Sequence, residues 1–205
     1  MSSIDLWYTT RATGLVALVL LTATMFVGIL TAGRAKSRWP AFARADIHRR
    51  LAVLTVVFLA IHVLTSVLDT YVDINWLTIV VPFTSSYHTV WLALGTVGVD
   101  FFLAVAVSSA LRRHISARAW RVWHWLAYLS WPVAVAHTLG MGTDARLGWV
   151  QGLVALCIAS IVGVVGWRVA TGIGARARLP RTIIGPRASL RLTAGTPVAS
   201  EGGTS

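Results

Sequence analysis

An all-α membrane bundle of five transmembrane helices is the fold class this sequence predicts, and three observations predict it. Of its 205 residues, 56% are hydrophobic, and the mean hydropathy is +0.72. Only 12% are charged, against about a quarter in a typical soluble domain. The apolar residues also gather into five runs, 13–32, 51–68, 89–111, 122–140 and 148–169. Each is close to the roughly 20 residues that cross a hydrocarbon core as a helix.

The first run follows LWYTTRATG, which lacks the basic start of a secretory leader. It is also too long for a leader's apolar stretch, so it is expected to remain as a span. The second run follows a basic cluster that ends in His48, Arg49 and Arg50. The third carries Asp100 at its middle and the fourth carries Pro132. The fifth holds the single cysteine, Cys157. One cysteine permits no disulfide within the chain, no CxxC pair and no zinc cluster, and the CxxCH signature of c-type haem is absent. Any metal chemistry must therefore use histidine. The expected domain layout is a transmembrane domain over 1–170 and a basic, disordered cytoplasmic tail over 171–205, rich in Gly, Pro, Arg, Ser and Thr.

The formal net charge of +11 and the isoelectric point near 11.5 would suit a nucleic-acid partner. The placement of the charges argues for none. Arg34, Lys36, Arg38, Arg44, Arg49 and Arg50 lie in the first connection, and Arg112, Arg113, Arg118 and Arg121 lie in the third. Six more arginines follow from Arg168 onward. The N-terminal segment has Arg11, the second connection has no Lys or Arg, and the fourth has Arg146. Basic residues mark the cytoplasmic side. The N-terminus is thus expected outside and the C-terminus inside, in the cytoplasmic membrane, with the cations facing anionic lipid.

Two stretches carry the chemistry. In ADIHRRLAVLTVVFLAIHVLTSVLD, His48 opens the second apolar run and His62 lies fourteen residues on. In RVWHWLAYLSWPVAVAHTLG, His124 opens the fourth run and His137 lies thirteen residues on. Both runs cross in the same direction, so His48 and His124 share one depth and His62 and His137 another. The depths differ by about 20 Å at 1.5 Å per residue. Intramembrane ionisable residues point to function. Two helices offering two stacked imidazole pairs suit bis-histidine haem b, clamped between facing helices. On an ideal helix His62 falls about 40° from the face of His48, whereas His137 falls about 140° from that of His124. Pro132 lies between the latter two and can kink or rewind the helix. His88 and His114, at the ends of the third run, read as interfacial residues.

With these spacings, and with the stretches LWYTTRATGLVALVLLT and VVPFTSSY, the chain resembles the ferric reductase-like transmembrane domain family over about residues 6–170. That superfamily includes the membrane cores of ferric reductases, NADPH oxidases and the haem subunit of bacterial methionine sulfoxide reductase systems. The resemblance implies two haem b groups, the inner held by His48 and His124 and the outer by His62 and His137. It implies electron transport as a membrane cytochrome b, an oxidoreductase or the electron-transfer subunit of one. Many members have six spans with the histidines on the third and fifth. Here they fall on the second and fourth, so the missing helix would be the first.

The stretch after Val169 is too short for a flavin (FAD) or nicotinamide (NAD) domain. Electrons are therefore expected from a separate flavoprotein or from quinol, and an extracytoplasmic acceptor is expected to receive them: ferric iron, oxygen or a partner redox protein. Haem propionates need cations, and Arg11, Arg49, Arg50 and Arg121 are the candidates. Trp123, Trp125 and Trp131 flank the histidines, while Gly14, Gly28, Gly95 and Gly98 read as sites of close helix packing. The rival readings are a quinol-linked cytochrome of similar plan and a haem-free membrane scaffold or transporter component.

Overall fold

A computed structural model describes residues 3–32, 40–69, 74–86, 88–141 and 144–177. The expected tail therefore lies outside the described residues from 178 onward, as do parts of the first, second and fourth connections. The architecture is all-helical: α1 (Ser3–Thr31), α2 (Ala41–Leu68), α3 (Thr89–Ala110), α4 (Ala117–His124), α5 (Leu126–Met141) and α6 (Gly148–Ala177). Short 3-10 turns at Trp76–Ile79 and Asp144–Arg146 precede α3 and α6.

Four helices, α1, α2, α3 and α6, are long and apolar enough to cross a membrane. The chain is thus a multi-pass membrane protein by length and composition. The fourth expected segment is divided at Trp125 into α4 and α5. With 16 residues, α5 spans about 24 Å, short of a hydrocarbon core of about 30 Å. The winding tightens at the division. Trp125 N–H reaches both Arg121 O at 3.1 Å and Val122 O at 3.2 Å, and Tyr128 N–H donates to Trp125 O at 3.0 Å. The Trp125-to-Val122 and Tyr128-to-Trp125 bonds are i→i+3, a winding that turns about 120° per residue rather than about 100°. That extra rotation acts against the phase error expected between His124 and His137. Pro132 sits inside α5, seven residues beyond the break. The last helix also outruns its apolar segment, continuing past Val169 to Ala177.

The helices associate as two antiparallel pairs, α1 with α2 and α3 with α5, and α1 also meets α5 and α6. The paired histidines lie on α2, α4 and α5, and α2 shares no extensive backbone contact with either of the other two. The core is built from Leu18 and Ile29 of α1, Trp131 and Val135 of α5, and Val154, Ile161 and Val164 of α6. Polar groups inside it are satisfied locally or across helices. Trp131 donates its indole N–H to Thr22 Oγ1 at 2.9 Å, and Thr22 donates back to Leu18 O at 2.8 Å. Thr24 and Thr55 hydroxyls meet at 3.3 Å between α1 and α2. Arg44 donates to Leu30 O at 3.2 Å, and Arg168 donates to Ile29 O. Two arginines thus reach carbonyls in the last turn of α1. The other faces of α2, α3 and α6 present Val, Leu, Ile and Trp outward, as lipid-facing surfaces require.

Candidate functional site

The four span histidines form two pairs, one from α2 and one from the α4–α5 unit in each. The His48 and His124 rings lie with centroids 6.3 Å apart and planes at 70°. The His62 and His137 rings lie 6.5 Å apart at 78°. A single metal ion bound to one nitrogen of each ring would give a similar separation. Metal–imidazole bonds run about 2.0 Å, and a five-membered ring with bonds near 1.35 Å has its nitrogens about 1.1 Å from the centroid. Two such arms sum to about 6.3 Å. The sequence-derived pairing and the structure agree on which rings meet.

The tautomers are fixed by hydrogen bonds to main-chain carbonyls. Nδ1 of His48 lies 3.0 Å from Thr24 O, Nδ1 of His62 lies 2.8 Å from Thr10 O, and Nδ1 of His137 lies 2.8 Å from Trp91 O. A carbonyl only accepts, so each of these Nδ1 atoms carries the proton. In the neutral ring that leaves Nε2 as the free lone pair, the state a ligating histidine needs. His124 differs. Its Nδ1 is buried without a hydrogen-bond partner among the described residues, and its ring stacks on Trp120 with centroids 4.7 Å apart. Arg112 covers the Trp120 ring with its guanidinium carbon 4.4 Å from the centroid.

Around the His62 and His137 pair lies a cavity of about 280 Å³ between α1, α2, α3 and α5. Leu18, Leu59, Val63, Val99 and Phe102 contribute to its apolar walls. Its polar end holds Arg11, Asp69 and Asp144. Arg11 forms a salt bridge with Asp144 and places its guanidinium carbon 3.8 Å from the Trp7 ring centroid. Thr78 and Ile79, in the 3-10 turn before α3, also line the cavity. That turn is held down by Thr96, which donates to Thr78 O at 2.7 Å, and by Asn75, whose side chain accepts from Thr78 N–H at 3.1 Å.

Donor count decides what metal species fits. Among the described residues, no group of three or more His, Cys, Asp or Glu side chains is placed to hold a metal ion. Two imidazoles are too few for a closed protein-only site, which takes about four ligands. A metal held by either pair must bring its remaining ligands with it. A planar macrocycle would do so, needing only two further ligands from the protein. The Nδ1-protonated rings of His48, His62 and His137 and, at the His62/His137 pair, the apolar walls of the cavity fit such a group.

The predicted cations divide. Arg11 faces the cavity, although Asp144 engages it. Arg49, Arg50 and Arg121 are exposed; Arg50 pairs with Asp46 at 2.7 Å, and Arg121 donates to Ala117 O at 3.3 Å. An exposed pair such as Arg50 with Asp46 is worth about 0.3–0.5 kcal/mol, so it yields readily to another anion. His88 and His114 are exposed at the two ends of α3, apart from both pairs. Asp100 is half-buried and does not line the cavity. The sequence reading missed the carbonyls of Thr10, Thr24 and Trp91, because a main-chain acceptor leaves no side-chain signal. It also missed Asp144 as the partner of Arg11. Compared with known proteins, the chain matches no family model, no curated protein and no solved structure.

Proposed function

We propose that this protein is a dihaem b-type membrane cytochrome that carries electrons across the cytoplasmic membrane. The observation that carries the reading is the pair of imidazole clamps, 6.3 and 6.5 Å between centroids, three of whose four rings have a fixed Nδ1 proton. Bound haem supplies one-electron redox chemistry, and two such groups in series, about 20 Å apart along the helices, give an electron path between the two faces.

The residues divide the work by depth. His48 and His124 hold the inner group, and His62 and His137 hold the outer one. Arg49, Arg50 and Arg121, on the basic side, are placed to meet propionates of the inner group. Arg11, in the cavity with His62 and His137, is placed for the outer group. In this arrangement the α4–α5 unit acts as a fifth crossing, with the break at Trp125 just beyond the inner histidine. Charge placement puts the N-terminus outside and the α6 end inside. A separate cytoplasmic flavoprotein or quinol supplies the electrons. Ferric iron, oxygen or a partner redox protein receives them near the second connection. The resemblance to the ferric reductase-like transmembrane domain family supports the same assignment.

Transfer across the bilayer is tested in sealed proteoliposomes holding ferricyanide inside, with dithionite added outside. Reduction of the trapped ferricyanide should require the protein and should fall at least tenfold in His62→Ala and in His48→Ala. Equal rates with protein-free vesicles would refute the proposal.

A further inference from the structure

Three glycines stand against three of the four histidines. A Cβ on Gly14 of α1 would lie 2.9 Å from both Cε1 and Nδ1 of His62. On Gly28 it would lie 3.1 Å from Cε1 of His48, and on Gly95 of α3 it would lie 2.6 Å from Cε1 of His137. Each glycine also lies four residues after the carbonyl that its histidine uses: Thr10 before Gly14, Thr24 before Gly28 and Trp91 before Gly95. The relation has a physical cause. In an α-helix the C=O of residue i−4 already accepts the N–H of residue i. A carbonyl has a second lone pair, but side chains lean toward the helix N-terminus and cover it. Removing the Cβ at residue i uncovers that lone pair and lets an imidazole from the next helix approach edge-on.

The register agrees. Fourteen residues separate Gly14 from Gly28, as fourteen separate His48 from His62, so the antiparallel α1–α2 pair meets in the same way twice. The equivalent carbonyl for His124, fourteen residues beyond Trp91, is Val105 O, and it accepts the Ser108 hydroxyl at 3.1 Å. His124 is the histidine whose Nδ1 lacks a partner.

We infer that Gly14, Gly28 and Gly95 are positioning residues: each opens the helical carbonyl four residues before it so that this carbonyl holds the Nδ1 proton of one histidine and aims its Nε2 into the gap between α2 and the α4–α5 unit. The inference deepens the haem reading of the same sites, but its geometry belongs to the apoprotein as well.

The test uses the full chain labelled with ¹⁵N-histidine in lipid nanodiscs, with and without added haem. Gly14→Ala, Gly28→Ala and Gly95→Ala are compared with Gly98→Ala, whose Cβ would meet only Val133 at an ordinary 3.5 Å. Alanine is the better helix former, so none of the four weakens its own helix. Each seat variant should lose the hydrogen-bonded Nδ1–H resonance of its own histidine, while Gly98→Ala keeps all three. In the haem-loaded protein, Gly95→Ala and Gly14→Ala should weaken haem affinity at the His62/His137 site roughly 10–100-fold. The surviving outer haem should shift to higher potential, because a histidine without its Nδ1 hydrogen bond is a poorer donor. Unchanged Nδ1–H resonances in Gly95→Ala and Gly14→Ala would overturn the inference. A wild-type chain that shows those resonances but takes up no haem would instead overturn the cytochrome reading and leave the seats standing.

Discussion

His62 lies in an apolar helix because its cost there is met on both sides of the ring. Its Nδ1–H donates to Thr10 O at 2.8 Å, and its ring lies 6.5 Å from that of His137, centroid to centroid. The histidine pairing was legible in the sequence, since matched spacing after two basic connections fixes depth, and depth selects partners. The glycine seats were legible only in part. The fourteen-residue step from Gly14 to Gly28 matches that of the histidines, but small residues in membrane helices usually report close packing, and only the coordinates join each glycine to a ring. The ring planes add a spectroscopic expectation. Ring planes at 70° and 78°, if they held the haem iron of the proposal, would leave its two dπ orbitals close in energy. Oxidised protein should give highly anisotropic low-spin signals in electron paramagnetic resonance. An ordinary rhombic spectrum, as parallel imidazoles give, would count against these ring orientations.

At the scale of elements, α1 is the strut that fixes the site. It supplies two carbonyls to histidines of α2, and it joins α5 through Thr22 and Trp131. Trp131 is 9% exposed. Lipid is as apolar as the core, so removing it costs mainly the cavity left behind. Trp131→Ala is expected to destabilise by about 3 kcal/mol. Trp131→Phe should cost about 1 kcal/mol, the net worth of one hydrogen bond, because Thr22 keeps its own bond to Leu18 O. Denaturant unfolding in detergent separates the two; equal losses would deny the indole bond its role. The limits of α3 and the end of α2 followed from their apolar runs, whereas α2 starts at Ala41, ten residues before its run, because the basic stretch ahead of Leu51 is helical too. The break at Trp125 did not follow from a run, because hydropathy is blind to whether a carbonyl is met at i+4 or i+3. Pro132 drew attention as the one visible helix disruptor, and the helix accommodates it.

For the whole molecule, the proposed orientation rests on the asymmetry of charge and the proposed exit on the cavity. The connection before α3 exposes Trp76, Leu77, Val80 and Phe83, while Thr78 and Ile79 reach the cavity. One short segment therefore touches both the His62/His137 site and the surroundings. Orientation is checked in a Cys157→Ser background. An impermeant maleimide should label Ser86→Cys in intact cells and Arg113→Cys only after permeabilisation. The opposite pattern would reverse the direction of transfer.

The most direct test of the central claim is haem per chain, measured as pyridine haemochrome together with the reduced-minus-oxidised visible spectrum of purified protein. The account predicts two b-type haems. One is lost in both His62→Ala and His137→Ala, and the other in both His48→Ala and His124→Ala. A wild-type chain that holds no haem when haem is supplied during expression would contradict it.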